Sequence, residues 1–137
     1  MDIQFFGANC VAVSYKGVRV VVDDNLAEIG AKSVLKAEDI ALYTAAPASP
    51  MPKVKLAVER PGEYEVAEVS IIGVAARAHM DEEGKKTATI YKVTAGDLNL
   101  LFTGHIYPEL SESQLESIGM VDVMFVPVGG IGYTLDA

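Results

Sequence analysis

Short apolar runs separated by tight-turn residues dominate the chain, a pattern typical of a protein built mainly from β-strands. The runs predict strands over residues 3–6, 11–15, 18–22, 40–43, 55–59, 64–66, 69–78, 87–94, 98–103 and 121–126. Lys16-Gly17, Pro61-Gly62-Glu63 and Ala95-Gly96-Asp97 predict turns, because glycine and proline supply the backbone angles that tight turns require. Most strands are therefore expected to pair as hairpins.

Helical signals are sparse. Ser111 and Gln114 have capping-box spacing, so a short helix is predicted over 112–118, with Gly119 ending it. Residues 26–39 carry only weak helical or irregular character. Many strands with few helices, and no repeat or linker, predict a single α+β domain of stacked β-sheets over residues 1–137.

Composition limits the cellular compartments and the classes of binding partner that suit this chain. Half of the residues are apolar and the mean hydropathy is +0.27, which predicts a sheet buried on both faces or an apolar surface covered by a partner. The apolar runs are far shorter than the roughly 20 residues that cross a bilayer. A net charge of −8 without a basic stripe argues against nucleic acid and membrane partners. The single cysteine, Cys10, and the lack of a signal-peptide pattern predict a cytoplasmic protein.

The junction between the strand 40–43 and the loop after it is where α/β proteins commonly place chemistry, because a rigid strand aims the first loop residues. Here residues 44–50 read Thr-Ala-Ala-Pro-Ala-Ser-Pro, with no carboxylate, imidazole or thiol. Only Thr44 and Ser49 carry hydroxyls. The junction therefore lacks the side chains that usually act as general bases or metal ligands.

Five segments, in order, resemble the metallo-β-lactamase fold superfamily, and more narrowly its small Zn-dependent hydrolase branch related to ascorbate-6-phosphate lactonases. They are residues 5–10, 18–23, 61–66 with the strand 69–73 that follows, 100–104, and 122–130. The third contains the Gly-Glu-Tyr-Glu sequence of this branch, and the fifth ends in Pro-Val-Gly-Gly. The resemblance implies a partial αββα sandwich and a metal-dependent hydrolase ancestry.

The resemblance also implies where metal ligands would lie. A His-x-His-x-Asp-His loop after a strand ending in threonine holds one or two metal ions, which convert bound water to hydroxide. With Thr44 in the threonine place, the ligand places are held by Ala45, Pro47, Ser49 and Pro50. None of these four is an effective zinc ligand.

Two ligand places of the family pattern carry an imidazole in this chain. His79 stands where the family supplies a further histidine, and His105 stands where it supplies a bridging aspartate. They form either a residual weak site for zinc or another divalent metal, completed by Asp23, or two strand-end histidines without metal. We favour the second interpretation, because zinc sites need three or more protein ligands. The family's last histidine has no counterpart before Ala137, so we expect a domain truncated at its C-terminal side.

Other polar residues have alternative interpretations. Cys10 is either a nucleophile or a small buried side chain. Asp23-Asp24 reads as a cation site or as solvated carboxylates that cap a turn. Glu63 and Glu65 share one strand face, as an acid–base pair or an exposed surface.

Three functions remain open, with no catalytic or cofactor-binding residue assigned, and the third is the sensing of a small ligand in the pocket where the family has its site. The first is a non-catalytic member, a pseudoenzyme that acts by binding or self-assembly, as a homodimer or with a complementing chain. An unpaired sheet edge and an uncovered apolar face would favour such association. The alternative is a metal-dependent hydrolase of small phosphorylated or lactone-type substrates.

Overall fold

The computed structural model describes residues 1–7, 9–45, 53–78, 80–107 and 109–127. These residues form two five-stranded mixed sheets, a 3₁₀ helix and an α-helix. The N-terminal sheet contains β1 (Asp2–Gly7), β2 (Cys10–Tyr15), β3 (Val18–Val22), β4 (Ile40–Leu42) and β5 (Leu56–Val58). The C-terminal sheet contains β6 (Gly62–Val66), β7 (Val69–Ala76), β8 (Ala88–Ala95), β9 (Leu98–Phe102) and β10 (Val123–Phe125). The predicted stacked-sheet α+β architecture is confirmed.

Every strand pair in these sheets joins strands that are consecutive in the sequence. The spatial orders are β1-β2-β3-β4-β5 and β10-β9-β8-β7-β6. β3–β4, β4–β5 and β9–β10 are parallel and the other pairs are antiparallel. The hairpin turns predicted at 16–17 and 95–97 agree with this topology. One boundary prediction was wrong, because Gly62 and Glu63 belong to β6 and pair with Gly73 and Ile72 rather than forming the turn.

The main core lies between the two sheets, because alternate residues of their strands point toward each other. It contains side chains from both sheets: Val11, Val13, Val20, Val22, Ile40, Leu42 and Val58 meet Val69, Ile71, Tyr91, Val93, Ala95, Leu100 and Phe102. Phe125 extends this core by stacking on Phe102, with ring centroids 4.7 Å apart.

Both sheets also bury parts of their outer faces. The α-helix α1 (Glu112–Ile118) packs Ile118 against the outer face of the C-terminal sheet, over Ile90 and Leu101. Ser111 and Gln114 form the predicted capping box. On the other sheet, Leu26 of the 3₁₀ helix (Leu26–Ile29) covers Cys10, Ala12 and Val21. The layers are those of a partial αββα sandwich, and they explain the apolar composition.

The two sides of the sandwich differ in whether the chain joins the two sheets, and we call them the closed edge and the open edge. At the closed edge, β5 passes into β6 through residues 59–61, and the hydroxyl of Tyr91 in β8 donates to the carbonyl oxygens of Tyr43 (2.9 Å) and Val58 (3.1 Å). At the open edge, the outermost strands are β1 and β10. A cleft of about 310 Å³ lies there, lined by Phe5, Asn9, Val11, Phe125, Val126 and Pro127.

Candidate functional site

A buried carboxylate links the ends of β3 and β4. Because these strands are parallel, Asp23 and Thr44 follow them at the same end of the sheet. Asp23 Oδ1 accepts a hydrogen bond from the Thr44 backbone N–H (2.7 Å), and Oδ2 accepts from Thr44 Oγ1 (2.6 Å) and Asn9 Nδ2 (2.8 Å). Both carboxylate oxygens are thus engaged by protein donors. We call this arrangement the Asp23 network.

Burial decides the electrostatics of the Asp23 network. Asp23 is 4% exposed, and the cost of removing its charge from water raises the pKa of the carboxyl group from 3.8 to about 6. The hydrogen bonds from Thr44 and Asn9 oppose this shift, since they favour the charged form. Asn9 (φ 67°) and Asp23 (φ 53°) also have left-handed backbones, which non-glycine residues seldom adopt.

The C-terminal sheet meets the Asp23 network at Thr44. Gly104, two residues after β9, has φ 62°, and a Cβ on it would lie only 2.2 Å from Thr44 Oγ1. Glycine is therefore required there for both its conformation and its size. The Thr89 N–H donates to the Thr44 carbonyl oxygen (2.8 Å), which fixes the start of β8 at the same point.

His105 follows Gly104 and is exposed. The next residue, Ile106, forms an isolated antiparallel bridge with Ala78, and the Tyr107 N–H donates to the Arg77 carbonyl oxygen (2.8 Å). The segment just before position 79 is therefore paired with the segment just after His105. His79 itself lies outside the described residues.

The described donors do not fit a hydrolytic metal centre. Ala45, at the first loop-ligand place, is exposed and has only a methyl group; Pro47, Ser49 and Pro50 lie outside the described residues. Within the described ranges, no three His, Cys, Asp or Glu side chains gather where they could hold a metal ion. Asp23 holds Thr44 and Asn9 with both of its oxygens. The metal assignment to His79, His105 and Asp23 stays a prediction.

The structure separates the alternatives for Cys10. The side chain is fully buried under Leu26, and burial, followed by the charges of Asp24 and Asp23, raises the pKa of the thiol to about 12. Because the thiolate is the reactive form, Cys10 is not a nucleophile at neutral pH. It is the small buried side chain of the second interpretation.

The carboxylates after β3 are buried rather than solvated, so that part of the prediction was wrong. Asp24 is 9% exposed. Its Oδ1 accepts from the Leu26 N–H (3.3 Å) and its Oδ2 from Ser33 Oγ (2.7 Å) and the Val34 N–H (2.8 Å). Asp24 therefore does cap a turn, and it also organises the irregular segment that covers the N-terminal sheet.

The remaining sequence candidates are exposed surface. Glu63 and Glu65 alternate with half-buried Tyr64 on β6, and both point to solvent.

No helix within the described ranges is long and apolar enough to cross a bilayer.

The fold agrees with a family match. Residues 2–137 match the family model of the β-lactamase superfamily domain. The chain belongs to this superfamily. The resemblance of the chain to the metallo-β-lactamase fold superfamily is confirmed. No curated protein matches this chain.

Solved structures are similar to this chain over most of its length. A proposed Zn-dependent hydrolase of the metallo-β-lactamase superfamily from Thermotoga maritima is 25% identical with a TM-score of 0.74, and the match covers 98% of this chain and 64% of that one. CmlA, a diiron β-hydroxylase from Streptomyces venezuelae, is 16% identical with a TM-score of 0.65, covering 90% and 34%. The second likeness concerns the fold alone. This chain spans less than two thirds of either protein.

Sequence reasoning did not find the Asp23 network or the cleft. Asn9 and Thr44 are 14 and 21 residues from Asp23, so no local pattern connects them. The one available signal was an asparagine in a tight turn, since asparagine tolerates a left-handed backbone.

Proposed function

We propose that this chain is a non-catalytic member of the superfamily, a pseudoenzyme that acts through binding or assembly. The observation that carries the proposal is Ala45. It directly follows Thr44, at the place where the family pattern supplies the first ligand of the metal loop. A methyl group has no lone pair, so a metal would have to be held by fewer and weaker donors.

The Asp23 network supports the same conclusion. The Asp23 carboxylate accepts three hydrogen bonds from Thr44 and Asn9, which orient it toward these residues and leave few of its lone pairs for an ion. These bonds hold the ends of β3 and β4 together. We therefore assign Asp23 a structural role: it stabilises the strand ends next to the place where the family pattern has its metal site.

Assembly is supported by the open edge, where apolar side chains of β1 and β10 line a cleft instead of a closed core. A homodimer or a complementing chain would cover them. The single cysteine, Cys10, which allows no internal disulfide, supports a cytoplasmic location.

A metal-dependent hydrolase of small phosphorylated or lactone-type substrates is the second candidate. The Ala78–Ile106 bridge favours it, because it pairs the segments that lead to His79 and away from His105. Two neutral imidazoles bind zinc or another divalent metal weakly and with little selectivity.

Elemental analysis of the purified chain, combined with hydrolysis assays on lactones and phosphate esters, separates the two candidates. We expect far less than one zinc, manganese or iron per chain and no turnover that a chelator abolishes. His79→Ala and His105→Ala variants serve as the comparison, because the chain contains only these two histidines. Stoichiometric metal that is lost in either variant, together with chelator-sensitive turnover, would overturn the proposal.

A further inference from the structure

A cleft between the β7–β8 loop and the segment before α1 has the opposite charge to the chain as a whole. Its volume is about 320 Å³. The lining includes three cationic side chains, those of Arg77, Lys85 and Lys86, and one carboxylate, that of Glu109. The whole chain carries a net charge of −8, so this local excess of positive charge is unusual in it. We call this feature the basic cleft.

Arg77 is held in one orientation at the basic cleft. Its guanidinium group stacks on the ring of Tyr107, with 3.9 Å between Arg77 Cζ and the ring centroid, and its Nε donates to the Asp81 carbonyl oxygen (3.1 Å). Within the described residues, its two Nη atoms have no hydrogen-bond acceptor and no carboxylate forms an ion pair with it. The Nη edge is therefore a preorganised set of donors, and its fork geometry matches the oxygens of a phosphate group.

The residues outside the described ranges contain little that could neutralise this charge. His79 and Pro108 adjoin the basic cleft in the sequence, and neither carries a carboxylate. Among all the residues outside those ranges, only Asp136 has a carboxylate side chain. The positive charge of the cleft is therefore available to a ligand.

Asp81 fixes the loop that carries the two lysines. Its Oδ2 accepts hydrogen bonds from the Ala78 N–H (3.0 Å), the Thr87 N–H (3.0 Å) and Thr87 Oγ1 (2.7 Å). These bonds draw together the two ends of the β7–β8 loop. Lys85 and Lys86 directly precede Thr87 and are exposed, so their ammonium groups remain hydrated and able to meet an anion.

The opposite wall of the basic cleft leaves room for more than an anion. Gln114 is buried there, and both ends of its amide are used, since Oε1 accepts from the Ser111 N–H (2.6 Å) and Nε2 donates to the Ala75 carbonyl oxygen (2.9 Å). Half-buried Leu110 adds an apolar surface to the same lining. A volume of about 320 Å³ falls within the range of small-molecule sites.

We propose that the basic cleft binds a small molecule through a phosphate group. Arg77 orients the phosphate oxygens, and Lys85 and Lys86 supply further positive charge. Three cations and one carboxylate leave a formal excess of two positive charges, which complements the charge of roughly −1.5 to −2 on a phosphate monoester at neutral pH. This inference goes beyond the proposed function, because a phosphate group can bind here whether or not the chain holds a metal.

Nuclear magnetic resonance titration of the full chain at constant ionic strength tests the ligand class. With inorganic phosphate we expect saturable binding, with a dissociation constant on the order of 1 mM and backbone N–H shifts concentrated at residues 77, 84–86 and 109–111. Phenyl phosphate assigns the site to a monoester if it binds more tightly, and to free phosphate if it binds equally. Malonate divides its two charges between separate groups and should bind roughly tenfold more weakly. No saturable binding, or equal affinity for malonate, would overturn the proposal.

An arginine variant tests the orienting residue. We expect Arg77→Gln to weaken phosphate binding by roughly tenfold or more, because it removes a charged pair of donors. Arg60→Gln is the matched control, since Arg60 is exposed, does not line the basic cleft and undergoes the same change of charge. The control should leave the dissociation constant within about twofold of the wild type.

A lysine variant tests the cleft without disturbing the stacked guanidinium group. Lys85→Gln combined with Lys86→Gln changes two exposed side chains, and we expect roughly tenfold weaker binding. Lys53→Gln combined with Lys55→Gln removes the same charge from exposed positions outside the basic cleft and should have little effect. Equal losses in the cleft variants and their controls would show general attraction to charge and would overturn the site. These results are independent of bound metal and turnover, on which the proposal of non-catalysis depends.

Discussion

The closed and open edges show two different ways in which a β-sandwich ends. At the closed edge the chain itself joins β5 to β6, and Tyr91 crosses the core to two carbonyl oxygens of the opposite sheet. At the open edge no such hydrogen bond joins β1 to β10 within the described residues, and Phe5 and Phe125 line a cleft. Among the described residues, one side is completed by its own connectivity, and the other is lined by a cleft.

Replacing Tyr91 should produce the largest loss of stability. Tyr91→Ala removes a fully buried ring and both cross-sheet hydrogen bonds, so we expect the free energy of unfolding to fall by about 4 kcal/mol. Tyr91→Phe keeps the ring and removes the hydroxyl donor, although the Val58 carbonyl oxygen still accepts from the Tyr43 N–H (2.9 Å), so we expect a cost of about 1–2 kcal/mol. Urea unfolding followed by circular dichroism measures both variants. Losses of equal size would show that the ring contributes little to the closed edge.

Asp23 should produce a smaller effect that depends on pH. The folded state raises the pKa of its carboxyl group from 3.8 to about 6, so between these values the folded protein binds the proton more readily than the unfolded chain. The contribution of Asp23 to stability is therefore greatest below about pH 4 and declines as the pH rises through 6. From the size of the shift, the decline is on the order of 2–3 kcal/mol.

The comparison with Asp23→Asn isolates this term, because the amide has nearly the same shape and does not titrate. We expect the stability of the wild type, measured relative to the variant by urea unfolding, to decrease from pH 4 to pH 7. Two curves that run parallel over this range would contradict the assignment. Such a result would mean that the carboxyl group titrates alike in the folded and unfolded chains.

The smallest effect on stability is expected at the open edge. There, truncating the larger side chain of Phe5 should lower the free energy of unfolding less than truncating the smaller side chain of Val11. Phe5 and Val11 are opposite each other on the same face, but Phe5 is 69% exposed and Val11 is 1% exposed. At low protein concentration, where a dimer is dissociated, we expect Val11→Ala to cost roughly 2 kcal/mol and Phe5→Ala less than about 0.5 kcal/mol. Thermal unfolding of both variants provides the test. A larger loss from Phe5→Ala would show that the open edge is closed in the monomer.

Local pattern predicted the strands well, because each strand is a short apolar run between turn residues. The capping box at Ser111 and Gln114 likewise predicted α1. The Pro61-Gly62 signal placed a turn two residues too late, since pairing with Gly73 and Ile72 draws Gly62 and Glu63 into β6. Here a tertiary contact overrode a local preference.

The position of the candidate site was predicted from the family resemblance. The contacts among its residues became visible only in the structure. Thr44 could be placed by analogy, but no periodicity in the sequence joins it to Asn9 or to Gly104. Those contacts depend on the parallel pairing of β3 with β4 and on the face-to-face packing of the sheets. The difference between the two edges was hidden for the same reason, since the strand pattern of β1 does not reveal that Phe5 and Phe125 line one cleft.

The pairing of consecutive strands in both sheets has a consequence for how the chain reaches this structure. Each sheet draws on one uninterrupted half of the sequence, residues 2–58 or 62–125, with no strand exchanged between halves. The loops that must close before neighbouring strands meet have two residues in every antiparallel pair except β7–β8, and are longest before the parallel pairs β3–β4 and β9–β10. Because the entropy of ordering a loop grows with its length, the hairpins are the natural starting points of folding, and the parallel strands complete sheets that already exist.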